Sequence, residues 1–197
     1  MKDKSKIFLS SYGLCSPIIS EKAKEYINPE EKTVLVIPFA GFNNDNTAMR
    51  EIDKGLVPFG FKKKNIFVAD SESTERSKEI HPDIIYVPGG NPFKLLCEAK
   101  SSGLLSLINN AVKNGSLYWG ISAGADLCCE DLSYLRLVED CDYCPQDYNG
   151  LGIIKNKKIL CHVDQRPMGL LQQVRDFDEK GTLYLRNDEL YVTEIAI

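Results

Sequence analysis

Histidine is nearly absent from this chain. Only His81 and His162 occur among 197 residues, so any imidazole chemistry rests on one of two positions. Tryptophan occurs once and methionine three times. No apolar run approaches the roughly 20 residues that cross a bilayer as a helix, so no membrane partner is expected. The opening segment MKDKSKIFLSSYG has too short an apolar stretch for an export signal and reads as a strand. Positive charge is not in excess either: 24 Lys+Arg face 28 Asp+Glu, a formal net charge of -4, with a pI near 5.3. That balance argues against a nucleic-acid partner, because such proteins favour a basic face that displaces counterions. Phosphate-binding glycine loops of the Walker or dinucleotide type are missing, and no cofactor is expected.

What is present is the mix of a soluble globular protein, 43% hydrophobic and 26% charged. The length suits a single domain over residues 1–197, large enough to bury a sizeable core. The seven cysteines are Cys15, Cys97, Cys128, Cys129, Cys141, Cys144 and Cys161. Their number is odd and their spacing irregular. Without an export signal they read as reduced thiols in a cytoplasmic protein. Cys141 and Cys144 form one C-x-x-C, but a zinc site usually wants two such pairs or nearby histidines, so no metal is expected.

Short apolar runs alternate with helical patterns along the chain. Strands are expected at residues 6–10 (KIFLS), 33–38 (TVLVIP), 65–69 (NIFVA), 84–87 (IIYV), 116–119 (SLYW), within 153–161, and at 182–186 and 190–194. Helices are expected at 21–27, 47–56, 92–99, 104–113 and 169–177. Asn91 and Pro92 are the cap and first position of the third helix. Residues 130–150 lack periodicity and read as an excursion. The alternation predicts a three-layer α/β fold, a mostly parallel twisted sheet with helices on both faces. Sites in such folds lie outside the C-terminal ends of the strands.

That rule sorts the motifs. Gly120-Ile121-Ser122-Ala123-Gly124 is a G-x-S-x-G directly after a strand and before a helical stretch, the context of a nucleophile elbow. A serine nucleophile needs a base. His81 precedes a strand and lies at the wrong sheet edge, whereas His162 follows one, which selects His162. Glu139, Asp140 and Asp142, between serine and histidine, and Glu189 beyond them are candidates to orient the imidazole, and spacing does not choose. The N–H groups of Ala123 and Gly90 are candidates for an oxyanion hole. Gly89 and Asn91 border the same loop. Arg166 and Arg175 could meet an acidic substrate or could be helix-surface charge.

VPGGNPFKLL at residues 87–96 and YWGISAGADL at 118–127 resemble two signature segments of the peptidase E family. The order of IFLSSYG, TVLVIPFAG, GGN, GxSAGA and LCHVDQRP agrees over nearly the whole chain. This family contains alpha-aspartyl dipeptidases and cyanophycinases, serine peptidases on a class I glutamine amidotransferase-like fold, related to the flavodoxin-like folds. The resemblance implies that Ser122 is the nucleophile, His162 its base, and Gly90 and Ala123 the oxyanion-hole positions. It places the acidic member after the strand-like run 134–138, at Glu139 or Asp140, or at Glu189. The implied function is hydrolysis of small peptides through an acyl-enzyme, with a preference for N-terminal aspartate, by a monomer or homodimer. Thiol-dependent amidotransferase chemistry is disfavoured because the elbow carries serine. A catalytically silent binding or regulatory protein on the same fold is the alternative.

Overall fold

The computed structural model describes residues 4–41, 46–69, 80–140, 142–143, 145–176 and 181–196. Its centre is a six-stranded sheet built from β1 (Lys4–Ser10), β2 (Val34–Val36), β3 (Ile66–Val68), β4 (Ile84–Val87), β5 (Leu117–Ile121) and β8 (Leu190–Ala196), in the order β3-β2-β4-β5-β1-β8. All neighbours are parallel except β8, which runs antiparallel to β1. Both faces are apolar, with the strict two-residue alternation of a pleated strand. Ile7, Leu9, Leu35, Ile37, Ile85 and Val87 enter one core, and Phe8, Val34, Val36, Ile84 and Tyr86 the other. The first core takes helices α4 (Pro92–Ser101) and α5 (Leu104–Lys113), and the second takes α1 (Pro17–Lys24). This is the three-layer α/β arrangement expected from the alternation of elements.

Several boundaries differ from the sequence reading, for local reasons. Helix α1 begins at Pro17, whose fixed φ suits a first turn, and ends at Lys24. The expected helix 47–56 is α2 (Thr47–Glu51) followed by a π-helical turn, Ile52–Leu56, and a last turn α3, Val57–Phe59. Gly55 lies in the π turn, where an added Cβ would come within 3.2 Å of Leu14. The fifth strand extends to Ile121, right up to the elbow.

The larger correction concerns the second half of the chain. The strand-like run 134–138 is a 3-10 turn, Ser133–Leu137. Asp131 caps it by accepting from Ser133 N at 3.0 Å. The Tyr134 hydroxyl accepts from Ile159 N and donates to Ile159 O, so a side chain takes the place of a strand neighbour. Strand β6 (Lys158–Cys161) does not join the main sheet. It pairs in parallel with β7 (Thr182–Leu185) as a separate two-stranded ribbon. Helix α7 (Met168–Asp176) connects them. The expected helix end at 177 and the Cys141/Cys144 pair lie outside the described residues.

Candidate active site

The C-terminal ends of the adjacent strands β4, β5 and β1 converge here. Ser122 follows β5 and precedes the short helix α6 (Ala123–Asp126), with φ 49° and ψ −114°. Such a backbone costs a non-glycine residue about 1–3 kcal/mol, and the flanking glycines explain how the turn is held. A Cβ on Gly120 would stand 2.3 Å from the Gly124 carbonyl oxygen, and one on Gly124 would stand 2.1 Å from that of Val87. The elbow is therefore packed backbone against backbone. Ser122 N donates to Ser10 O at 2.9 Å, while Ser122 O accepts from Ala125 N and Asp126 N.

His162 directly follows β6 and also has a positive φ, 58°. Its Nε2 lies 3.1 Å from Ser122 Oγ. Its Nδ1 lies 2.7 Å from Asn187 Oδ1. An amide oxygen only accepts, so Nδ1 carries the proton and Nε2 is left to accept from the serine hydroxyl. The Tyr12 ring packs against the imidazole, with centroids 5.3 Å apart.

The group at Nδ1 is an amide and not one of the carboxylates considered from sequence. Glu139 accepts from Arg166 Nη2 at 2.5 Å. The Asp140 side chain is exposed, and its backbone carbonyl accepts from Asn91 Nδ2 at 3.2 Å. Asp142 is exposed. Glu189 accepts from Arg186 N at 2.8 Å and so clamps the turn between β7 and β8 that presents Asn187. Sequence reasoning missed Asn187 because it searched for charge. The available signal was topological: a short polar turn, RNDE, follows the strand that pairs with β6.

Gly89 lies over Ser122, where an added Cβ would come 2.9 Å from the serine Cβ. Gly90 has φ 145°, and its close approach to Ala40 O leaves no room for a side chain. Asn91 caps α4 as its sequence suggested, accepting from Phe93 N and Lys94 N at 2.9 Å each. Among the described residues, the N–H groups of Gly90 and Ala123 have no internal acceptor.

Of the two arginines, Arg166 is tied into the protein and Arg175 is exposed on α7. Arg166 donates to Cys161 O, Val138 O and Glu139, tying the end of β6 to the segment after the 3-10 turn. The Arg175 guanidinium sits 5.5 Å from the centroid of the Tyr184 ring. Beneath the elbow, Asp126 is only 4% exposed, and its Oδ1 has no hydrogen-bond partner. Burial, reinforced by the charge of Glu139 and opposed by Arg166, holds this carboxyl well above the usual carboxylate range. Burial likewise pushes the Cys161 thiol well up and that of Cys129 to about 12, which leaves both as unreactive thiols at neutral pH. Among the described residues no cluster of His, Cys, Asp and Glu could hold a metal ion, and no helix is long and apolar enough to cross a membrane. A cleft of about 860 Å³ opens at the opposite edge of the sheet. His81 lines it together with Lys4, Lys6 and Lys32, and neither Ser122 nor His162 does.

A serine on a strand–helix elbow, facing an imidazole across the C-terminal edge of an α/β sheet, is the arrangement of the serine hydrolases built on such sheets. Within that class the chain belongs to peptidase family S51, whose family model matches residues 15–192. Peptidase E of Salmonella arizonae is 35% identical over 130 residues, covering 62% of this chain and 52% of that protein. Peptidase E of Escherichia coli O1:K1 / APEC is 33% identical over 141 residues, covering 70% and 56%. The chain thus aligns with about half the length of these curated relatives. A crystal structure from Listeria monocytogenes EGD-e, assigned as a peptidase E protein, superposes with a TM-score of 0.79 at 25% identity, covering 98% of this chain and 99% of that one. A peptidase from an acI-B1 Actinobacterium shares the fold at 17% identity, with a TM-score of 0.71 over 100% of this chain and 89% of that one.

Proposed function

We propose that the protein is a serine-type hydrolase of short peptides, working through an acyl-enzyme on Ser122. The observation that carries this reading is the 3.1 Å contact between Ser122 Oγ and His162 Nε2, with the opposite ring nitrogen engaged by Asn187. In this reading His162 takes the hydroxyl proton as Oγ attacks the scissile carbonyl. The N–H groups of Gly90 and Ala123 donate to the oxyanion. The tetrahedral species collapses, the C–N bond breaks, and His162 returns the proton to the departing amine. Water, deprotonated by the same imidazole, then releases the acyl group. Asn187 fills the third place of the triad, a role an amide also takes in cysteine peptidases of the Cys-His-Asn type. A neutral amide orients the ring without adding a charge to stabilise imidazolium.

The aspartate preference implied by the family resemblance needs a cation at the site; Arg166 is spent on Glu139 and two backbone carbonyls, and Arg175 lies exposed against the Tyr184 ring. The reading is therefore short peptides as a class. The test combines a fluorophosphonate probe with a panel of Asp-X, Glu-X and neutral dipeptides. Labelling at Ser122 and hydrolysis of at least one dipeptide class are expected, both lost in Ser122→Ala. A folded parent that neither labels nor hydrolyses would leave a silent binding protein. Hydrolysis that survives Ser122→Ala would remove the nucleophile assignment.

A further inference from the structure

The nucleophile and its base stand on different sheets. Ser122 follows β5 of the main sheet, and His162 follows β6 of the separate ribbon. Backbone ladder bonds within each sheet cannot set the distance between them, yet an imidazole about 1 Å out of place costs on the order of 100-fold in rate. Two consecutive residues at the tip of β1 bridge the gap. Ser10 O accepts from Ser122 N at 2.9 Å. The Ser11 hydroxyl accepts from His162 N at 2.9 Å and donates to Leu185 O at 2.9 Å, so it touches both strands of the ribbon. Ser11 is 1% exposed, and water cannot readily replace it.

We propose that Ser11 is a positioning residue that fixes the His162 imidazole against Ser122; this rests on reading those two residues as the catalytic pair. Its hydroxyl is the hinge pin between the sheet that holds the nucleophile and the ribbon that holds the base. His162 depends on it the more because its positive φ is disfavoured for a side-chain-bearing residue. The hydroxyl has one proton to give and gives it to Leu185 O, which leaves its lone pairs for His162 N–H. Ser10 contributes through its backbone carbonyl, while its own hydroxyl accepts from Trp119 Nε1 at 3.2 Å. Tyr12 continues the device, packing on the imidazole and accepting from Gln165 Nε2 at 3.0 Å. One loop therefore places nucleophile, base backbone and base ring.

Ser11→Ala tests this in the full chain. Expected are a 10- to 100-fold fall in kcat, KM within about twofold of the parent, and slower fluorophosphonate labelling of Ser122. The chain has only two histidines, which gives an independent spectroscopic reading. The His162 imidazole signals should move in the NMR spectrum, while those of His81, at the far edge, stay in place as a check of folding. Ser5→Ala is the control for simple loss of a buried hydroxyl. Ser5 lies on the same strand and donates to Val112 O, so its loss should lower the melting temperature and leave kcat alone. If alanine at position 11 prevents folding, Ser11→Cys keeps the size with weaker bonds and should show a smaller fall in the same direction. Parent-like kcat with unmoved His162 signals, in either variant, overturns the proposal. Moved His162 signals in a protein whose parent neither hydrolyses nor labels would uphold the positioning role and reject the hydrolase reading.

Discussion

Ser122 and His162 come within 3.1 Å, yet two different kinds of architecture hold them. The serine's surroundings are main chain: glycines at 120 and 124 let three backbone segments touch, and the ladder of β5 runs directly into the elbow. The histidine's surroundings are side chains. Ser11 holds its backbone, Asn187 its ring, Tyr12 its face, and Arg166 the carbonyl just before it. The first kind of support is intolerant of any added atom. The second kind is tunable, because each contact is one removable group worth about 1 kcal/mol.

Substitutions at four positions would break or sharpen this contrast, in falling order of effect. Gly124→Ala should strike the main-chain support hardest, because its Cβ would overlap the Val87 carbonyl. A loss of about 3 kcal/mol or more is expected, read as a large drop in melting temperature with activity lost. A parent-like melt would show that the elbow can relax. Asn187→Ala should leave the melt nearly unchanged and lower kcat by about 10- to 100-fold, as expected for loss of a ring-orienting partner. Asn187→Asp should match or exceed the parent, since a carboxylate there would stabilise imidazolium. Equal kcat in alanine and parent would remove Asn187 from the triad.

Asp126→Asn addresses the carboxyl beneath the elbow. Burial raises its folded-state pKa above the unfolded value, so the folded state holds a proton that the unfolded chain releases. Its contribution to stability is greatest below the unfolded pKa and is lost as pH rises toward the folded one. The amide should therefore stabilise the protein at neutral pH by about 1 kcal/mol and flatten that part of the pH–stability curve, measured by urea unfolding. An unchanged slope would mean that Asp126 is not the group responsible. Arg175→Ala is the smallest: about 0.5–1 kcal/mol from the lost stacking on Tyr184, with KM for every dipeptide unchanged. A selective rise in KM for Asp-X substrates would instead return Arg175 to substrate recognition.

The same contrast explains what the sequence revealed. Strands β1, β2, β4 and β5 were legible because both their faces are apolar and buried. The elbow was legible because its steric demands fix residue types at fixed spacing. The choice between histidines followed from which end of a strand each occupies, and the cleft lined by His81 lies at the other edge. Side-chain supports leave no such pattern. Asn187 is one polar residue in a turn, and Glu189, selected for its charge, is the clamp two positions away. Tyr134 replaced a strand neighbour with a hydroxyl, which no periodicity encodes. The separate β6–β7 ribbon was hidden because a strand's sequence reports its burial and not the sheet it joins.

Among the described strands, β1 comes earliest in the sequence and its partner β8 comes latest. It lies between β5, whose elbow begins more than a hundred residues later, and β8, which pairs with it along its whole length. The Ser11–Leu185 hydrogen bond spans 174 positions. During synthesis from the N-terminus, Ser11 must wait for Leu185 before the contacts that hold Ser122 and His162 within 3.1 Å can all form. Contacts of such long sequence separation form slowly and late. In a growing chain β2 and β4 are thus present while Ser122 and His162 still lack the contacts that bring them together, so on the proposed reading any peptide hydrolysis would wait for the Ser11–Leu185 contact.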